Sequence, residues 1–357
     1  MKILLIYPSN TKYVPHAYHY LKILNNYNVE YDIVIWDQDD IVENDCIVFK
    51  NKNVNKRIFS RIISYYRYAS FVKKTIKKNK YDKIIIFSIF LSVLLYPFLR
   101  KNYKNKYIFD IRDYNPVVKV VPSVINMLVK DSYITAISSP GFKKWLPESK
   151  KYTLSHNFNF ESWQESLVDK KLNNHKYIIL TIGFLRHYDV NKSLIDTFAN
   201  DDDIILKFVG TGEVHKLLKD YVFENQIKNV VFFGEYQKKD ELSFLEDVSL
   251  VNIILENDIN SRTLMTNRIY TSLCSGVPVL VNEGSTQGEY VKKYNLGMFF
   301  ENFAQLKENV KSFLLNFDGQ LFEKGSNDFL VEIKEDQNIF EKNIVNFLRQ
   351  NKDEKIS

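Results

Sequence analysis

The chain has 357 residues, 45% hydrophobic and 15% aromatic, enough for two domains of ordinary size with full cores. Its two cysteines, Cys46 and Cys274, lie far apart in sequence, which excludes a disulfide framework and a cysteine metal spacing and fits a reducing cytoplasm. The net charge of +6 is uneven: Met1 to Glu165 carry 26 basic against 14 acidic residues, and the remainder 23 against 29.

In chain order, Lys2 to Tyr7 reads as a strand, too short and too strand-like for a signal peptide. His16 to Leu24 reads as a helix, Tyr31 to Trp36 as a strand, and Asn55 to Lys78 as a long basic helix. Lys50 to Lys83 hold ten further Lys and Arg, with Tyr65, Tyr66, Tyr68 and Phe71 interleaved. This stretch is a solvated helix face or a surface that leans on anionic lipid. No recognition motif accompanies it, so nucleic acid is not an expected partner. Ile84 to Leu99 is almost wholly apolar but shorter than the ~20 residues a spanning helix needs. It reads as a buried strand, Lys83 to Phe87, and a buried helix, Ile89 to Arg100. Short strands follow at Tyr107 to Ile111, Ser132 to Ile137 and Tyr152 to Ser155.

The polar stretch Asn157 to Asn174 reads as a linker, after which the alternation restarts. Strands KYIILTIGF, DIILKFVG, NVVFFGEY and NIILEN alternate with helices over Lys192–Ala199, Val214–Phe223 and Glu241–Val248. Thr266 to Asn282, TNRIYTSLCSGVPVLVN, is a short helix, a break and a buried strand. Thr266 is the expected N-cap, and Gly276 with Pro278 stops the helix. Repeated strand–helix alternation argues for parallel sheets covered on both faces. The expected fold class is α/β, with two doubly wound, Rossmann-like domains facing across a cleft. The expected boundaries are 1–165, 166–330 and a C-terminal helix, 331–357, packing back toward the first domain.

The chemistry is sought at the carboxyl ends of these strands, where helix N-termini and glycine turns accept anions. Gly183 ends one strand, and Arg186 follows with the planar fork suited to phosphate. Lys192 is a weaker second cation. Gly210 and Gly212 end the next strand, and Gly234, Glu235 and Tyr236 the one after. Asn267 and Arg268 open the helix after NIILEN. In the first half, Arg112 and Asp113 follow the strand FDI, and His16 and His19 follow the first strand. Asp113 binds a ligand hydroxyl, accepts a proton, or pairs with Arg112. Asp37, Asp39, Asp40 and the run Asp201 to Asp203 read as solvated loops, and no DxD-type pair is placed for a diphosphate-bound metal. No HExxH, Walker loop or Ser–His–Asp order is present.

TIGFLRHYDVNKSLIDTF, FVGTGE, VVFFGEY and NRIYTSLCSGVPVLV, in that order, resemble the nucleotide-sugar domain of GT-B glycosyltransferases, most closely family 4 and its capsular-polysaccharide relatives. FDIRDYNP, AISSPGFKKWLP and LSHNFN in the first half resemble the same group. The resemblance implies transfer of a sugar, UDP-linked, to a hydroxyl of a lipid-linked or growing glycan, with retention and without a metal or other cofactor. It implies an enzyme at the inner face of the plasma membrane. The implied donor-binding set is Gly183, Arg186, Lys192, Gly210, Gly212, Gly234, Glu235, Tyr236, Asn267, Arg268, Thr271 and Glu289. The implied catalytic set is Asp113, Arg112 and His16. The family's His–Asp pair is here Arg–Asp, so the histidine role does not transfer to Arg112. The two glutamates of many family members are replaced by Thr263 and Thr271, leaving Glu256 and Glu289 as candidates for the donor ribose. An epimerase or hydrolase acting on UDP-sugars, and a catalytically silent partner subunit, are the alternatives.

Overall fold

A computed structural model describes residues 1–51, 58–159 and 176–350. The expected linker lies outside the described residues from position 160 onward. The chain divides into two compact units, Met1–His156 with Glu335–Ser357, and Asn157–Lys334.

The first unit runs β1 (Lys2–Ile6), α1 (Tyr18–Asn26), β2 (Glu30–Asp37), β3 (Cys46–Lys50), α2 (Ile58–Asn79), β4 (Lys83–Ile86) and α3 (Ile89–Asn102). It continues through β5 (Tyr107–Ile111), α4 (Val117–Val120), α5 (Pro122–Asp131), β6 (Ile134–Ile137) and β7 (Tyr152–Leu154). Its seven-stranded sheet has the order β3-β2-β1-β4-β5-β6-β7, every pair parallel. The order turns between β1 and β4, and that switch point is where a doubly wound sheet opens a crevice at its strand ends.

Strand β3 was not expected. CIVFK is a half-exposed edge strand, so it lacks the unbroken apolar run that marks the central strands. Ser88 caps α3 by accepting from the Leu91 N–H, so the apolar run Ile84 to Leu99 is split between strand and helix. No described helix is long and apolar enough to cross a membrane.

The basic helix also needs correcting. Tyr68 is fully buried, and Tyr65 packs edge-on to Trp36 at 5.0 Å between ring centres. Phe71 meets Phe49 at 5.3 Å. Three of the four interleaved aromatics therefore belong to the core, and only Tyr66 stands outward, 59% exposed, beside exposed Arg67 and Lys74. Lys83, counted in the same stretch, is wholly buried. Its ammonium donates to the Phe347 carbonyl and lies 4.6 Å from that residue's ring centre. Asp37 is buried rather than solvated: Oδ1 accepts from Asn10 and from the Asp39 and Ile41 N–H groups. Asp201 is buried too and paired with Lys307 and Lys311.

The second unit runs β8 (Tyr177–Ile182), α6 (Tyr188–Phe198), β9 (Ile204–Val209), α7 (His215–Glu224), β10 (Val230–Phe233), β11 (Leu250–Ile253), α8 (Ile259–Thr263) and α9 (Asn267–Cys274). It closes with β12 (Val279–Asn282), α10 (Thr286–Tyr294), β13 (Gly297–Phe300), α11 (Leu306–Leu315) and the start of α12 (Gly319–Arg349). Its six-stranded sheet has the order β10-β9-β8-β11-β12-β13, again wholly parallel, with the switch point between β8 and β11. Leu180 and Ile182 face one core with Ile269 and Leu273, while Ile179 faces the other with Leu194 and Phe198. The strands are thus apolar on both faces. The helix expected over Glu241–Val248 is instead two 3-10 turns, Lys238–Asp240 and Leu242–Leu245. Beyond Glu335, α12 supplies Phe340, Ile344 and Phe347 to the core of the first unit.

Candidate functional site

In the second unit, the loops leaving β8, β9 and β10 are laced together. The Gly183 N–H donates to Val209, Leu185 to Thr211, and Gly210 to Phe233 and Gly234. Gly183 and Gly210 hold positive φ of 108° and 118°. A Cβ on Gly210 would run into the Gly183 carbonyl, and one on Gly212 into the Leu185 carbonyl. These glycines let three backbone turns lie against one another. Asn191 fixes the next turn by donating to the carbonyls of Arg186, at 2.5 Å, and His187, at 3.0 Å. His187 sits in the left-handed region, φ 62°, and its Nδ1 meets Glu256 Oε1 at 3.0 Å. That pair joins the loops after β8 and β11 across the switch point.

Arg186 and Arg268 both reach this place. The Arg186 guanidinium lies over the ring of Phe184, 4.9 Å from its centre. Arg268, on the first turn of α9, has its pKa pushed down to about 10, chiefly by burial and also by the positive charge of Arg186, with Tyr236 opposing. A like charge close enough to matter, on a group already losing water, is an arrangement that folding alone does not favour. No carboxylate of a described residue pairs with either guanidinium. Two coupled cations with no carboxylate of a described residue between them stand at a switch point and a helix start, an arrangement suited to an anion.

The other expected residues fall as follows. Tyr236 is half-buried, its hydroxyl 3.5 Å from Glu241, and lies within the field of Arg268. Asn267 is exposed at the first position of α9. Thr266 takes the N-cap position but makes no cap bond; its hydroxyl donates to buried Gln287 at 2.7 Å. Thr271 donates to the Asn267 carbonyl within its own helix, at 3.2 Å. Lys192 is drawn onto Asp196 at 2.7 Å and over Tyr221 at 4.5 Å, on the outer face of α6, and does not join the arginine pair. Glu235 and Glu289 are exposed. Among the described residues, no three His, Cys, Asp or Glu side chains converge as a metal site.

In the first unit, Arg112 does not pair with Asp113. Its Nε and Nη2 each donate to Asp110 at 2.6 Å, and Nη1 donates to the Ser155 carbonyl at 2.7 Å. Alternate residues of a strand share a face, so Arg112 aligns with Asp110 and not with its neighbour. Asp110 is wholly buried and also accepts from Tyr20 at 2.6 Å. Burial alone would raise the Asp110 pKa; Arg112 overcomes that and holds the carboxyl below its ordinary range. Asp113 is exposed. Asp110 was missed, yet YIFDI carries its own signal: an acid inside a fully buried strand requires a partner on the same face.

His16 and His19 adjoin this pair. Burial first, then the charge of Arg112, pushes their pKa values down to about 3 and about 4, with Asp110 opposing. The unfolded chain binds those protons near pH 6.5. Both histidines therefore contribute stability above that pH, lost as pH falls from 6.5 toward 4. At pH 5 the loss is about 2 kcal/mol per histidine. Melting temperature at pH 7 and pH 5 checks this; His16→Gln with His19→Gln should flatten the slope.

No protein-family profile matches this sequence, and no curated protein sequence matches it. Solved structures do. HepE from Anabaena, in complex with UDP, is 14% identical with a TM-score of 0.70, over 98% of this chain and 100% of that one. Sucrose-phosphate synthase from Thermosynechococcus elongatus is 12% identical with a TM-score of 0.69, over 99% and 98%. The lipopolysaccharide outer core galactosyltransferase WaaB is 12% identical with a TM-score of 0.64, over 98% and 99%. Across both units, the fold is that of the GT-B glycosyltransferase structures.

Proposed function

We propose that the chain is a glycosyltransferase of the family 4 type, moving a sugar from a UDP-linked donor to a hydroxyl of a lipid-linked or growing glycan, with retention, in cell-surface polysaccharide synthesis. The observation that carries the donor half is the arginine pair, Arg186 and Arg268, with no carboxylate of a described residue on either. The pyrophosphate of a nucleotide sugar supplies the missing negative charge. As the glycosidic bond breaks, charge grows on the leaving diphosphate, and fixed cations stabilise it most at that moment. Backbone N–H groups at the start of α9 add to this. UDP complexes among the similar structures support a uridine nucleotide. Binding without a metal, and retention, rest on the family resemblance. The exposed stripe of α2, with Arg61, Arg67, Lys74, Lys77 and Lys78, supports a seat on anionic lipid at the inner membrane face.

A panel of UDP-, GDP- and ADP-sugars scored by thermal shift tests the reading, since a ligand of the native state raises the melting temperature. UDP-sugars should give the largest rise. Thr271→Ala should change that affinity by less than about 1 kcal/mol, because its hydroxyl is spent within the helix. No response to any nucleotide would overturn the proposal.

A further inference from the structure

Strand β10 ends the six-stranded sheet of the second unit, and among the described residues no further strand pairs with its outer side. The Leu206 N–H donates to the Asn229 carbonyl at 2.9 Å and the Gly210 N–H to the Phe233 carbonyl at 3.1 Å, so those carbonyls face β9. Backbone groups alternate sides along a strand, so the N–H and C=O of Val230 and Phe232 point away from the sheet. Natural sheet edges are blunted with charges, proline or a bulge, and VVFF, in unbroken register with β9, carries none of these. Val231 and Phe233 stand 42% and 40% exposed, whereas β13, the opposite edge of the same sheet, has no exposed residue.

A full helix after β10 would have covered this face. The two 3-10 turns that stand there set Phe244 against Phe233, at 5.7 Å between ring centres, and leave both strand residues exposed. Over the other face Phe223, 84% exposed, extends the apolar surface. The Tyr221 hydroxyl donates to Asp196 of α6 at 2.5 Å, and Phe223 lies two residues, about 200°, further round α7. It therefore faces away from α6, on the β10 side of the helix. Lys228 and Glu235, both exposed, stand just before and just after the strand.

We propose that β10 is a homodimerisation edge, along which two copies of the chain pair antiparallel about a two-fold axis normal to the sheet. A two-fold repeats every contact, and this edge is self-complementary under it. With Phe232 opposite its own copy, the outward N–H and C=O of each Phe232 meet those of the other. Val231 of one strand then lies opposite Phe233 of the second copy on the exposed face, twice over. The Lys228 end of each strand meets the Glu235 end of the other, so opposite charges close both ends. The pairing joins two six-stranded sheets into one. Four residues in each strand make a reversible dimer. This contact does not depend on which ligand the arginine pair takes.

Sedimentation of the full chain across a concentration series, with amide hydrogen exchange followed by NMR on the same samples, tests this. The mass should climb from one chain toward two. Over the same range exchange at Val230 and Phe232 should slow, while Val231 and Phe233, already bonded to β9, should not change. Val231→Lys with Phe233→Lys puts charge on the exposed face and should weaken association at least about tenfold. Lys228→Glu sets like charges at both ends and should weaken it about tenfold; adding Glu235→Lys should restore it to within about threefold. A single chain at every concentration would overturn the inference. So would a dimer that ignores the lysine pair, a second charge reversal that restores nothing, or association that leaves exchange at Val230 and Phe232 unchanged. A monomer that uses this edge only for a different protein would overturn it as well.

Discussion

Arg268→Met should bind UDP at least about thirtyfold more weakly than the native chain, and should melt at a higher temperature without ligand. The two effects have one cause. Arg268 is a desolvated cation beside another cation, Arg186, and no described carboxylate offsets it. Removing it relieves a cost the apo protein carries, on the order of 1 kcal/mol, or about 2–4 °C in melting temperature. Removing it also strips the diphosphate of a charge-assisted partner, a loss of roughly 2–5 kcal/mol. Arg186→Ala should lose binding in the same range, with less gain in stability, since its guanidinium rests on the exposed ring of Phe184. Isothermal titration with UDP and a melting curve decide the matter together. A variant that melts lower and binds equally would mark Arg268 as a structural group.

Asp110→Ala should be the most damaging change in the first unit. The carboxylate is fully buried and satisfies Arg112 and Tyr20 together. Breaking a buried pair by removing one partner costs about 3–5 kcal/mol, because the other charge stays behind without compensation. Asp110→Ala with Arg112→Met should recover most of that loss, since neither charge then remains. Urea unfolding followed by the fluorescence of Trp36 and Trp145, both in this unit, measures it. Equal stabilities for the single and double variants would show that the pair is not the cause.

These residues also show what the sequence discloses and where it stops. Unbroken apolar runs such as Ile84–Ile86 and Val279–Val281 state the parallel sheets directly. The positions of Arg186 and Arg268 were legible because a cation just past such a strand, or at the helix start behind it, has a defined place. Asp110 was not, because attention went to the adjacent pair Arg112–Asp113 and not to alternate residues on one face. Strand β3 escaped for want of a buried face. Tyr65, Tyr68 and Phe71 looked like part of a lipid-facing stripe because they alternate with basic residues; only the packing of Trp36 and Phe49 shows them turned inward. The Lys192–Asp196 pairing was already present in the sequence as an i, i+4 spacing.

The late arrival of Phe340, Ile344 and Phe347 in the core that Ile3 and Leu5 begin has a consequence for biosynthesis. Domains usually mature in the order in which they leave the ribosome. Here Ile3 and Leu5 wait for a segment that follows the whole second unit in sequence, while the second unit, Asn157–Lys334, is continuous and has all its partners earlier. The amino-terminal half is then the final one to close. Until it does, the apolar face of α1 and β1 that Phe340, Ile344 and Phe347 cover stays open to water.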